Sequence, residues 1–222
     1  MILSFVRVKE KFHKLLPVLF ILVFALSRIP GLLPLNFSAA YAFAFCAGVY
    51  FPKRLAWWLP LGTMLATDIG LNFYYQHEYP GDNVWSAANL ANLAFNYAAY
   101  LALIFLGRRF KPQSSFASLL GGGLLGAILF YLITNTASWF FNPFQNPEYA
   151  KTFAGWLLAL TKGINGWPTT WEFFRNTLLG AGLFTALFVA SEKLTSSAES
   201  PADKTAGARE PEAEAEPKEA EA

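Results

Sequence analysis

The stretch WEFFRNTLLGAGLFTALFVA, residues 171–190, is apolar enough to cross a membrane, yet it carries Arg175 and Asn176 side by side near its start. A guanidinium placed in hydrocarbon is costly unless it is paired, reaches an interface or meets a ligand. The rest of the chain must therefore supply one of these, and the search for it organises the reading.

Of the 222 residues, 55% are hydrophobic, 17% aromatic and only 14% charged, which is too apolar for an ordinary soluble domain of this length. The charge is unevenly placed. From Thr195 onward there are eight Asp/Glu against three Lys/Arg, whereas residues 1–194 hold seven against fourteen. The composition divides the chain into a basic cytoplasmic amino-terminal segment (1–14), a transmembrane domain (15–194) and a disordered, acidic, Ala/Glu/Pro-rich tail (195–222). Cys46 is the only cysteine, and His13 and His77 are too distant to pair. No metal site and no cofactor are expected. GGGLLG at 121–126 lacks the Lys-Ser/Thr ending of a phosphate-binding loop, so nucleotide binding is not expected of this chain. Nothing marks it as a partner of nucleic acid.

Long apolar runs bounded by charged or aromatic residues fall at 15–29, 36–51, 55–75, 86–106, 116–141 and 171–190. The pattern predicts an all-α, polytopic bundle of about six transmembrane helices. The second run is short, since a crossing takes about 20 helical residues, and its helix is allowed to begin in LPLN. KTFAGWLLALTK, 151–162, is shorter still and charged at both ends, which suits an outer interfacial or re-entrant helix, in effect a lid. The first run is expected to be retained, because no small-residue cleavage site follows it.

Basic residues alternate with the runs: Arg7, Lys9, Lys11 and Lys14, then Lys53 and Arg54, then Arg108, Arg109 and Lys111, and finally Lys193. QHEYPGDNVW at 76–85 has no Lys or Arg. The expectation is a multi-pass protein of the cell membrane, the bacterial inner membrane, with both termini cytoplasmic. Trp85, Trp139, Trp167 and Trp171 then fall near the outer boundary and Trp57 and Trp58 near the inner one.

Depth follows from the helical rise of about 1.5 Å per residue. Arg175 lies ~6 Å inside the outer end of its helix and Asp68 ~10 Å below Tyr75, on a helix running the other way. The two are expected to meet, although Arg175 has the alternative of snorkelling to headgroups. Asn89, Asn92 and Asn96 share one helix face, as do Tyr131, Asn135 and Ser138, and Asp68, Asn72 and Tyr75. Separate segments thus send polar faces to one depth in the outer half of the bilayer, as the wall of an outward-facing cavity requires. Each asparagine taken alone reads as well as interhelical glue. Ala40, Ala44 and Gly48, Gly122 and Gly126, and Gly180 and Gly182 mark close helix contacts, expected mainly within the bundle.

RIPGLLPLNFSAAYAFAFCAGVYFPKR, TDIGL, YLITNTASWF and the WEFFRNTLLGAGLFTALF region resemble, in order, segments of an uncharacterised family of small bacterial integral membrane proteins. That family is in turn similar to the substrate-binding (S) components of energy-coupling factor (ECF) transporters. The resemblance implies a six-helix protein that captures a vitamin-like solute near the outer face and works with a membrane coupling subunit and ATPases. An acidic residue is expected after the Gly of FFRNTLLG, where this chain has Ala181; the charge-pair role then falls on Asp68.

The leading expectation is a non-enzymatic transport component. Its site would use Asp68 and Arg175 as a charge pair, with Asn72, Asn92, Asn96, Asn135 and Asn176 as hydrogen-bonding groups and Trp139, Trp156 and Trp171 as stacking or lid surfaces. Two alternatives remain open. One is a structural or assembly protein whose polar groups only bond helices together. The other is an intramembrane enzyme, which would need a nucleophile and base within reach.

Overall fold

The computed structural model describes residues 15 and 18–196 and, among them, contains helices and no strands. The expectations for the basic segment 1–14 and for nearly all of the acidic tail fall outside the described residues. Seven helices follow in order: α1 (Val18–Ser27), α2 (Ala40–Tyr50), α3 (Leu55–Glu78), α4 (Ala87–Gly107), α5 (Phe116–Phe141), α6 (Phe153–Thr161) and α7 (Thr170–Ser196). Three of them, α4, α5 and α7, are long and apolar enough to cross a membrane. The helix over 55–78 has the length but not the hydropathy, because Asp68, Asn72, Gln76, His77 and Glu78 crowd its second half.

The shortest of the central elements forms the middle of the fold. At 11 residues α2 is only about 16 Å long, and residues 40–49 are all buried. A helix apolar on every side belongs inside a protein. It packs on α3, α4, α5 and α7 together. Its start corrects one expectation: LPLN stays outside the helix. Asn36 takes a left-handed conformation (φ 62°), and the Ser38 hydroxyl accepts from Ala40 N at 3.1 Å, so residues 36–39 turn before the helix begins.

Small residues set the closest approach. A Cβ added to Gly107 would lie 2.1 Å from the Phe45 carbonyl oxygen, and one on Gly48 would lie 2.3 Å from that of Ile104. The two glycines therefore let α2 and α4 cross backbone to backbone. Gly122 faces Phe45 and Phe110, Gly123 faces Thr185, and Gly180 lies against the backbone of Ser38. These contacts are all internal to the bundle, as the spacing of the small residues leads one to expect. Phenylalanines fill what remains: Phe20 stacks on Phe188 at 3.9 Å, and Phe24 meets Phe43 at 5.5 Å.

The bundle has two chemically different ends. At one, Lys53, Arg54, Arg108, Arg109 and Lys111 surround the connections into and out of α3, α4 and α5. The Lys193 ammonium donates to Ser114 O at 2.7 Å, fixing the last turns of α7 to that end. At the other end, the close of α1, α3 and α5 and the start of α4 and α7 come together around a hollow.

Candidate functional site

The hollow has a volume of about 450 Å³ and is walled by six helices and by the connecting strap 28–39. The strap has few backbone partners of its own, so side chains hold it. Ser27 Oγ accepts from Ala39 N at 3.0 Å and itself donates to Phe24 O at 2.7 Å. The Tyr41 hydroxyl donates to Asn36 O at 3.2 Å, and Asn176 Nδ2 donates to Leu35 O at 2.9 Å across 141 residues of sequence. Gly31 (φ 78°) supplies the bend that an L side chain would resist.

Beneath the strap lies an ion pair. Arg28, at the end of α1, bonds its guanidinium to Asp68 Oδ1, and the Tyr97 hydroxyl donates to Asp68 Oδ2 at 2.8 Å. The Asp68 side chain is 9% exposed and that of Arg28 is 19% exposed. The carboxylate is therefore neutralised and bonded on both oxygens, as burial demands. Its partner corrects the expected Asp68–Arg175 pair. Asp68 continues the buried stripe Ala56, Pro60, Met64 of α3, four residues apart, which faces inward. Arg175 stands on the exposed face of α7, in the field of Glu172.

Glu172 has its own local role. Thr169 N donates to Glu172 Oε2 at 2.7 Å, and Glu172 N donates to Thr169 Oγ1 at 3.3 Å, the reciprocal pair of a capping box. The polar residues that interrupt the apolar run 171–190 are thus explained separately. Arg175 lies at the surface by the cap, and Asn176 reaches across to fasten the strap.

The structure brings Asn92, Asn96 and Asn135 onto the wall of the hollow, with Thr134, Ser138 and Thr177 beside them. Asn135 commits one amide N–H to Tyr131 O at 2.8 Å. Asn72 and Asn89 line a second hollow of about 220 Å³ between α3 and α4, which shares Tyr75, Asn92 and Asn96 with the first. Asp68 itself lies behind Arg28 rather than on the wall. Five of the expected site residues are placed elsewhere. Arg175 and Asn176 have the positions just given. Trp139 Nε1 donates to Ala150 O at 2.8 Å, and its ring lies 5.4 Å from the Lys151 ammonium. Trp171 is 59% exposed and rests on Phe174. Trp156 is tied to Thr136 Oγ1 at 3.0 Å, holding α6 against α5.

Arg28, Tyr41, Tyr97 and Tyr100 were not among the expected site residues. Arg28 had a signal: it is the one basic residue between Lys14 and Lys53, and it ends an apolar run. The tyrosines had none, since aromatic residues are common throughout the chain. Among the described residues no three of His, Cys, Asp and Glu gather to hold a metal ion. The arrangement can do what a neutral ion pair, amides, hydroxyls and rings can do together, which is to orient a small polar molecule.

Comparison with curated proteins and with solved structures found no match. One family is shown, because its model matches residues 9–202: the chain belongs to a family of unknown function, DUF6580.

Proposed function

We propose that the chain is an integral membrane protein that captures a small solute from the outer face in the hollow beneath the strap, as a substrate-binding component of a transport system. In this reading α1 to α5 and α7 make six membrane segments, α6 lies at the outer interface, and the basic end faces the cytoplasm. Charge asymmetry favours that orientation, since basic residues collect on the inner side. Hydrolysis of ATP, where transport needs it, belongs to partner subunits, and the chain itself is not an enzyme. The resemblance to ECF S components read from the sequence implies the same arrangement.

One observation carries the reading. A hollow of about 450 Å³ is lined by Arg28, four asparagines and several hydroxyls at one end of a bundle whose other end is basic. Interhelical glue would pair its polar groups with one another and leave no space between them. Here they border space of the size that small-molecule sites occupy.

The test is native mass spectrometry of the full chain released from lipid nanodiscs. The wild type is expected to carry a small-molecule adduct that Asn96→Leu, which fills the wall between the two hollows, loses while keeping its fold. Bare protein in both preparations would favour a purely structural role.

A further inference from the structure

The two hollows differ in lining, and the difference restricts what fits them. In the larger, Arg28 is the one charged side chain among the described residues on the wall, and Asp68 neutralises it from behind. Aromatic residues stand among the amides and hydroxyls of the same wall, among them Tyr41, Tyr75, Tyr100, Phe130 and Tyr131. A flat, unsaturated ring bearing hydrogen-bond acceptors suits such a chamber, because rings stack on rings and a guanidinium held by one carboxylate oxygen has further N–H groups to donate. Among the described residues no charged side chain lines the smaller hollow. It is bordered by Asn72, Asn89, Asn92 and Asn96, with Val84, Leu90 and Leu93 between them.

The shared residues Tyr75, Asn92 and Asn96 make the two hollows neighbours with a common border. We infer that they are one bipartite site for a nucleoside-like solute: a flat heterocycle in the larger chamber, joined to an uncharged hydroxylated arm in the smaller. Asparagine side chains pair donor and acceptor with the edge of a heterocycle and serve hydroxyl groups equally well. A phosphorylated arm is disfavoured. Among the described residues no cation lines the smaller chamber, and burying a dianion among amides leaves its charge unpaired. This inference rests on the solute-capture reading and names its substrate class.

The test uses the full chain in nanodiscs, titrated with adenosine, uridine, adenine and adenosine monophosphate, with binding read by calorimetry. At least one nucleoside is expected to bind tenfold or more tightly than either adenine or the monophosphate. Asn72→Leu, which fills only the smaller chamber, should bring that nucleoside down to the affinity of a free base, while adenine binding by the same variant stays within twofold of wild type. Equal affinity for base and nucleoside, tighter binding of the monophosphate, or no effect of Asn72→Leu would overturn the inference. So would failure of all four probes to bind. If the probes fail but native mass spectrometry still finds another solute on the wild type, the substrate class falls and the capture reading stands; if no solute is found either, both fall.

Discussion

Arg28 and Asp68 are forty residues apart, and neither is explicable without the other. Removing one member of a buried pair strands a charge, which costs about 3–5 kcal/mol. Arg28→Gln, which strands the buried carboxylate, should therefore lower the thermal midpoint in detergent markedly; Asp68→Asn should lower it less, because Arg28 borders the hollow, and the double variant should recover much of the Arg28→Gln loss. Arg175→Gln should change stability by less than about 0.5 kcal/mol, as surface substitutions do. A large effect of Arg175→Gln on Asp68-dependent stability would restore the pairing that sequence depth suggests. Depth placed Asp68 ~10 Å below Tyr75 on its helix, and its burial agrees with that placement. Its partner was not legible, because helical rise gives height along an axis and says nothing of azimuth. Arg175 has a suitable height on the wrong face, whereas Arg28 lies at a helix end whose position depends on how the strap folds back.

Among elements, α2 has the most stringent packing. Gly107→Ala would drive a methyl group into the Phe45 carbonyl, and overpacking of this kind typically costs about 1–3 kcal/mol, with α4 displaced from α2. Gly62→Ala is the matched control. Its Cβ would meet nothing within 4 Å, so it should be neutral or stabilise by up to about 1 kcal/mol through helix propensity. Unfolding midpoints of the two variants in one detergent check both statements. At the start of α7, Thr169→Ala removes the hydroxyl half of the capping box and should cost about 0.5–2 kcal/mol by the same measurement. Helix positions were largely legible: the runs 86–106 and 116–141 agree with Ala87–Gly107 and Phe116–Phe141 to within a residue. Serine caps account for this, since Ser86 and Ser115 accept from the N–H groups of Asn89 and Ser118. The start of α2 was not legible from hydropathy, because NFSA is apolar enough to belong to the run. It is excluded by the left-handed Asn36 and the Ser38 turn.

On the scale of the whole molecule, two of the polar residues that lower the hydropathy of α3 serve the hollows: Asn72 lines the smaller one, and Asp68 holds Arg28 on the wall of the larger. The remaining asparagines of the walls sit on α4, on α5 and, as Asn36, on the strap. Sequence periodicity placed Asn92, Asn96 and Asn135 on common faces at a common depth, and the structure gathers them at one cavity. The tryptophans were assigned to it from their boundary position alone. Position near a boundary does not determine which way a ring points, and Trp139 turns to Ala150 while Trp171 lies outward. The central claim is that this cavity is wet and open at the end opposite the basic loops. A single thiol tests it in a Cys46→Ala background. Charged methanethiosulfonates react with the ionised thiol, which forms in water and not in hydrocarbon. Asn135→Cys lies on the cavity wall; Leu132→Cys lies three residues away on the same helix and is 37% exposed on the outside of the bundle. With a membrane-impermeant reagent added to intact cells, Asn135→Cys is expected to be modified and Leu132→Cys to be spared. Protection of Asn135→Cys, or equal labelling of both positions, would contradict a water-filled hollow open to the exterior.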